Sequence, residues 1–535
     1  MPVFSLSMYP ATTIWGPRGM VASGHPLATS AGLATLARGG NAVDAALAMA
    51  WVTGVVMPDM CGLGGEAFAL VASPQQAPEA WLGSGVLPRG FREDLLPPGE
   101  LLPLRGGASV TVPGAVSLYF ALHERHGRLE MNEVVEPAVT LARGGFPVDR
   151  RLKTSLEEFR SVIADDPAVA ARFYPDGQAL AEGALVVAPE LADALEEVVK
   201  SRGQTLYGGS LGNAVVDAVR RSGGFLSLED LAQHRTETAE PLTLDWQGWT
   251  LAVPPPPSAG VVLLEAFGIV DPDTISPRWR ESGAEVHRVI EALRLAFADR
   301  RRYAGDPAVV HFAAQDLLTD SHLAQLRARI GASALPISTA LTTGDTTSMV
   351  AVDGEGRMVS LIHSLALAFG SGVFVKEGGF FLNNRAGRSF NRLPGHPNQA
   401  IPGKRPMHTL VPWMVMRGEE PVIAGNTMGG DGQPQWNLML LLDLLRGQVL
   451  PGEAVSLPRL AVMPATDAHT LTQPTVVSLE ARFSPEVLGE LERRGHRIKV
   501  VGPWAGGGSL QVVQRLRGGW AGASDPRGGG QTQGL

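Results

Sequence analysis

At 535 residues the chain is too long for one small core, so it must form two or more domains or one large layered unit. A content of 44 % hydrophobic and 18 % charged residues is that of a globular protein. A net charge of −8 from 45 basic and 53 acidic residues argues against nucleic acid or an anionic membrane surface as the main partner. The single cysteine, Cys61, excludes an intrachain disulfide.

The opening MPVFSLSMYPATTIWGPRG has no basic start before a continuous apolar run, unlike a signal peptide. The longest apolar stretch, Ala45 to Met57, stops at Pro58, short of the roughly 18 residues that a membrane helix needs. The expectation is a soluble, cytoplasmic protein with no membrane partner. GGNAVDAALAMAWVTGVV then predicts a tightly packed helix capped by Asn41. In CGLGGEAFALVA, Gly62, Gly64 and Gly65 lead into a strand rather than a helix, which counts against a dinucleotide site. Helices are predicted over 115–127, 134–144, 190–200 and 212–221. Ala252 to Gly260, AVPPPPSAG, is a rigid extended stretch before another helix. Over 284–303, Val286, Ile290, Leu293 and Phe297 fall on one helical face.

From Thr346 the texture changes. TTSMVAVD and RMVSLIHSL, joined by Asp353-Gly354-Glu355-Gly356, predict a β-hairpin. GGFFLNN and PVIAGNTMGG read as further strands, and WNLMLLLDLLRG as a helix. Short strands at VVSLEARF, HRIKVVGP and GSLQVVQRL, with one helix among them, close the chain. Helices first, then sheet, then helix and sheet again predict stacked α and β layers rather than a βαβ wind. No internal repeat is present, and the best break falls at 335–345.

Three local patterns compete for the chemistry. Gly208 to Gly212 matches the nucleophile-elbow spacing, but only QTLY precedes it where a buried strand is required. His123-Glu124-Arg125-His126 lacks the H-E-x-x-H spacing of a helical zinc pair, since position 127 is Gly. A lone Cys61 is more often a small apolar residue than a nucleophile. Against these stands Thr346. A Thr hydroxyl needs an adjacent base, and a chain-terminal Thr has its own α-amine, with a pKa of about 7.7–8.0. An internal Thr reaches that state if its hydroxyl attacks the preceding carbonyl and water opens the ester. Such a site needs a loop ending on a strand and backbone N–H groups for the oxyanion. TGD followed by TTSMVAVD meets the first need, and the Gly429-Gly430 turn can meet the second. On these features alone, an ordinary turn into a β-branched strand stays open.

The ordered series GGNAVDAALA, GLGGEAF, PGAVSLYFALHERHGRL, EPAVTLARGGFPV, YGGSLGNAVVDAV, PPPPSAGVVLLE, EALRLAFADRRRYAGDP, DTTSMVAVDGEGRMVSL, LNN, GKRPMHTLVP, MGGDG and ASDPRGGG resembles the γ-glutamyltranspeptidase family of N-terminal-nucleophile hydrolases along nearly the whole chain. The resemblance implies an α+β, four-layer αββα sandwich. It implies self-cleavage between Asp345 and Thr346 into a large segment, 1–345, and a small one, 346–535, that co-fold as a heterodimer; a higher oligomer stays open. It implies Thr346 as nucleophile, with Thr347 the weaker candidate, Ser364 as its hydroxyl partner where the family carries Thr, Gly429 and Gly430 as the oxyanion turn, and no cofactor or metal.

The substrate-reading positions depart from that family. Its carboxylate-binding Arg aligns near Ser84, with Arg92 the alternative in a shifted register. Its Asn two residues past Ser364 is Ala366, its acid after LNN is replaced by Arg385 and Arg388, and its Ser-Ser pair is His408 and Thr409. A carboxylate would favour a substrate ammonium and Arg would repel it, while Arg makes the best carboxylate fork. The expected substrate is therefore an amide whose acyl group bears a carboxylate without a neighbouring ammonium, glutaryl-like or oxamate-like. γ-Glutamyl amides such as glutathione remain candidates on family grounds. The plainer alternatives are that Arg385 and Arg388 sit on a solvated loop, or that the chain is an uncleaved, inactive scaffold.

Overall fold

The computed structural model describes residues 11–335, 345–463 and 475–535, and the side chain of Asp345 is outside that description. The expected hairpin forms its centre. Strands Asp345–Val352 and Met358–Ala366 pair antiparallel, with a register irregularity between Asp345 and Thr347. Their turn closes at Gly356, whose φ of +85° suits glycine. Asp353 in that turn accepts the Ala42 N–H at 3.0 Å, at the start of helix Ala42–Val56. Asn41 and Asp44 complete a capping box there, so the predicted cap is present. The small side chains of this helix allow close packing: a Cβ on Gly32, in helix Pro26–Ala37, would lie 2.7 Å from Met49.

Two seven-stranded, wholly antiparallel sheets carry the fold. One runs Gln531–Gly534, Met20–Ser23, Asp345–Val352, Met358–Ala366, Glu66–Ala72, Glu79–Gly83, Glu237–Ala239. The other runs Ile14–Gly16, Gly519–Ser524, Leu510–Leu516, Glu420–Thr427, Trp413–Arg417, Trp249–Val253, Leu242–Trp246. Between them lies a core that includes Met20, Leu70, Val350 and Met358 from one and Met414, Ala424 and Val513 from the other. A larger core forms under the helices outside each sheet, so the order is helix, sheet, sheet, helix, as the resemblance implies. Asn426 ties the sheets together: its Nδ2 lies 3.0 Å from Met349 O and Ser360 Oγ and 3.1 Å from Leu361 O.

Three expectations need correction. The order "helices first, then sheet" is wrong, because each sheet takes strands from both sides of residue 345. The strands before that point are short or fully buried, with no alternating pattern to mark them. GGFFLNN is not one strand: Phe380–Phe381 pairs with Phe374–Val375, Leu382 makes a single bridge to Gly64, and Arg385–Ser389 turns helical. Asn383 and Asn384 instead hydrogen-bond backbone oxygens of Gly64, Thr111 and Leu104, which competes with a sheet ladder. The chain ends on strands Gly519–Ser524 and Gln531–Gly534, which their glycine-rich sequence hides. Most of the expected break, 336–344, lies outside the described residues.

Candidate active site

Side chains on a strand alternate between its two faces, and this alternation separates the two threonines. Thr346 faces the inter-sheet side and donates to Ser364 Oγ at 3.0 Å. Thr347 faces the helix layer, where its hydroxyl meets Met57 Sδ at 3.4 Å. Ser364 Oγ also accepts the Ala366 N–H at 2.8 Å. The strand end is strained: Ala366, opposite Asp345 in the ladder, has a φ of +84°, which costs a non-glycine residue about 1–2 kcal/mol. His363, beside Ser364, points the other way, to Thr53 and Tyr119, and burial lowers its pKa to about 3. It cannot reach Thr346 as a base.

Gly429 and Gly430 follow strand Glu420–Thr427 with φ of +113° and +56° and lead into helix Gly432–Leu441. A Cβ on Gly429 would lie 2.3 Å from the Trp436 ring. Among the described residues neither glycine N–H has an acceptor, while their carbonyls accept Gly432 and Gln433 N–H groups. The turn offers two free donors beside a helix N-terminus, where negative charge is favoured. Asn426, in the strand feeding this turn, is held on the hairpin that carries Thr346 and Ser364.

The reading of Arg385 and Arg388 as solvated is overturned. Arg385 is fully buried and Arg388 nearly so. Arg388 donates to the Ala366 carbonyl at 2.8 Å, at the end of the Ser364 strand. Arg385 Nε donates to Glu66 Oε2 at 3.0 Å, while its Nη1 and Nη2 have no hydrogen-bond partner. Glu66 stands opposite Ser364 in the ladder. It also accepts the Gly85 N–H at 3.1 Å and lies 3.1 Å from Thr111 Oγ1, which in turn lies 2.9 Å from Asn383 Oδ1. Burial pushes the Glu66 carboxyl up to about 7, against the pull of Arg385. Burial likewise lowers Arg385 to about 10, against Glu66, and the guanidinium stays charged at neutral pH.

His408 completes this wall. Its Nε2 lies 2.7 Å from Ser84 Oγ, its ring packs on Phe68, and its Nδ1 has no partner. Burial, then the charges of Arg385, Arg405 and Arg300, hold its pKa well below the usual range, so it is neutral. Thr409 is buried beside it. The GDP and GKRP segments meet here: Arg405 donates to Asp306 through its N–H at 2.8 Å and its Nη2 at 2.7 Å. Arg92 is exposed and pairs with Asp94, away from this wall. Sequence reading missed Glu66 and Asn426. An acid inside the apolar run AFALVA was the available signal, because a buried charge needs a partner.

The competing patterns dissolve. Ser210 is exposed at the start of helix Ser210–Arg221, with the short helix Gln204–Tyr207 before it rather than a strand. His123 bonds the Leu129 carbonyl and His126 bonds Glu79. Cys61 is buried, which pushes its thiol pKa up and keeps it protonated.

With Thr346 as nucleophile, removing the Ser364 hydroxyl is expected to slow both chain cleavage and turnover by about 1–3 kcal/mol, roughly 5- to 150-fold. Thr in its place should restore both. Time courses of the Ser364→Ala and Ser364→Thr chains on denaturing gels, and amide turnover by each, measure this.

The family pattern described as gamma-glutamyltranspeptidase matches residues 28–535. A glutathione hydrolase-like proenzyme of Bacillus subtilis, YwrD, is 33 % identical over 98 % of this chain and 99 % of its own. An oxamate amidohydrolase proenzyme of Klebsiella pneumoniae is 32 % identical over 96 % and 98 %. The crystal structure of a cephalosporin acylase from Bacillus halodurans superposes with a TM-score of 0.89 at 31 % identity, covering 99 % of each chain.

Proposed function

The chain belongs to the γ-glutamyltranspeptidase family, whose members are N-terminal-nucleophile hydrolases and acylases, and from that premise we propose that it hydrolyses amides whose acyl group bears a carboxylate without an adjacent ammonium. The carrying observation is Arg385, fully buried, charged, and with two guanidinium nitrogens unpartnered. A planar carboxylate fits such a fork bidentately. An ammonium is disfavoured here, because the unpartnered guanidinium nitrogens of Arg385 face the same wall and would repel it.

The proposed chemistry begins with maturation. Thr346 Oγ attacks the Asp345 carbonyl, the peptide C–N bond breaks, and an ester forms with the Thr346 amine released. Water then hydrolyses the ester, giving segments 1–345 and 346–535. In turnover the freed amine takes the proton from Thr346 Oγ as it attacks the substrate carbonyl. The Gly429 and Gly430 N–H groups receive the oxyanion. The leaving amine departs protonated, an acyl-Thr346 ester remains, and water activated by the same amine releases the acid. An amine acceptor in place of water would give transfer. Ser364 orients the Thr346 hydroxyl throughout.

A panel of anilides tests the specificity. Glutaryl and oxamate-like amides should be turned over at least about tenfold better, in kcat/KM, than the γ-glutamyl anilide. The reverse order would sink the reading. pH adds a second check. Below about 7 Glu66 is neutral and leaves the Arg385 charge to the substrate; above it, ionised Glu66 competes. KM for the carboxylated amide should therefore rise as pH rises through about 7, while KM for a neutral acyl amide stays flat.

A further inference from the structure

Away from Thr346, three helices on the outer side of the second sheet bring together side chains that the proposed reaction does not use. Glu265 lies on helix Gly260–Val270, Asp299 on Gly283–Tyr303 and His322 on Asp320–Ala328. His322 Nε2 is 3.1 Å from Glu265 Oε1 and 2.9 Å from Asp299 Oδ2, and one donor atom from each residue lies within 4.8 Å of the others. Glu265 is fully buried, and its second oxygen, Oε2, has no hydrogen-bond partner. Among the described residues no Lys or Arg pairs with either carboxylate. We propose that Glu265, Asp299 and His322 form a binding site for a divalent transition metal, with zinc the best fit, that staples these three helices.

The donor set is chemically apt. Imidazole and carboxylate suit zinc, and three protein ligands leave a fourth position for water. Tetrahedral bonds of about 2.0–2.1 Å set donor atoms about 3.3 Å apart, so the two His322 separations need to open by only a few tenths of an ångström. The His322 side chain is 25 % exposed and Asp299 13 %, which gives the ion and its water an entry from solvent.

A second cluster, His287, Glu291 and His496, shows what a committed set looks like. His287 Nδ1 is 2.7 Å from His496 Nε2, and His287 Nε2 is 3.0 Å from the Gly331 carbonyl. Arg294 holds Glu291 Oε1 at 2.5 Å, and the Leu335 N–H holds Oε2 at 3.1 Å. The carboxylate there is already committed to Arg294 and the Leu335 N–H. That cluster fastens residues 331–335 instead.

The test is calorimetric titration of the EDTA-treated full chain with zinc chloride, read beside thermal melting. One zinc should bind and raise Tm by mass action. His322→Ala and Glu265→Gln should each weaken this binding at least about tenfold, while His496→Ala leaves it intact. Absence of saturable zinc binding, or binding that survives both substitutions, overturns the site.

Discussion

Thr346→Ala should purify as one uncut 535-residue chain with amide turnover reduced at least about 10⁴-fold, whereas the parent should give two fragments, one beginning with Thr346. Loss of a covalent nucleophile removes the acyl-enzyme route altogether, which is why this effect should exceed any other substitution. Mass spectrometry and N-terminal sequencing read the first part and anilide release the second. Thr347→Ala is the control. Its hydroxyl lies on the helix side against Met57, so both cleavage and turnover should persist. Thr346→Ser keeps a hydroxyl and should still cleave. A parent that stays intact, indistinguishable from Thr346→Ala, would identify an inactive scaffold instead.

The second large effect falls on Arg385. Its Nη1 and Nη2 are the unpaired cationic donors of the wall formed with Glu66 and His408. Removing one partner of a buried charge pair costs about 3–5 kcal/mol, so Arg385→Ala should lose roughly 10²- to 4 × 10³-fold in kcat/KM toward carboxylated acyl amides. Toward a small neutral acyl amide the change should stay within a few-fold. Arg385→Lys keeps the charge without the fork and should fall between. Cleavage of the variant chain into its two fragments reports that the fold around Thr346 survives. Equal losses on both substrate types would mean that Arg385 supports the fold rather than reads the acyl group.

Much of this was legible in the chain itself. The hairpin from Thr346, the capped helix after Asn41 and the apolar face of 284–303 carry strong local patterns, and each stands where those patterns put it. The glycine turn at 429–430 was visible because only glycine accepts its backbone angles freely. Strands such as Ile14–Gly16 and Gln531–Gly534 were not, because they are short and owe their conformation to a neighbouring strand far away in sequence. Glu66 and Arg385 are 319 positions apart, and neither announces the other.

The sequence by itself determined the family, the layered α+β class and the residue types at the centre, since local propensity and ordered motifs are properties of the chain alone. Only the tertiary structure decided which threonine faces Ser364, that Arg385 is buried rather than solvated, and that Glu66 stands beside it. These are statements about direction, burial and partnership. They depend on strand alternation and on contacts between segments hundreds of residues apart, and they exist only once the two sheets are assembled.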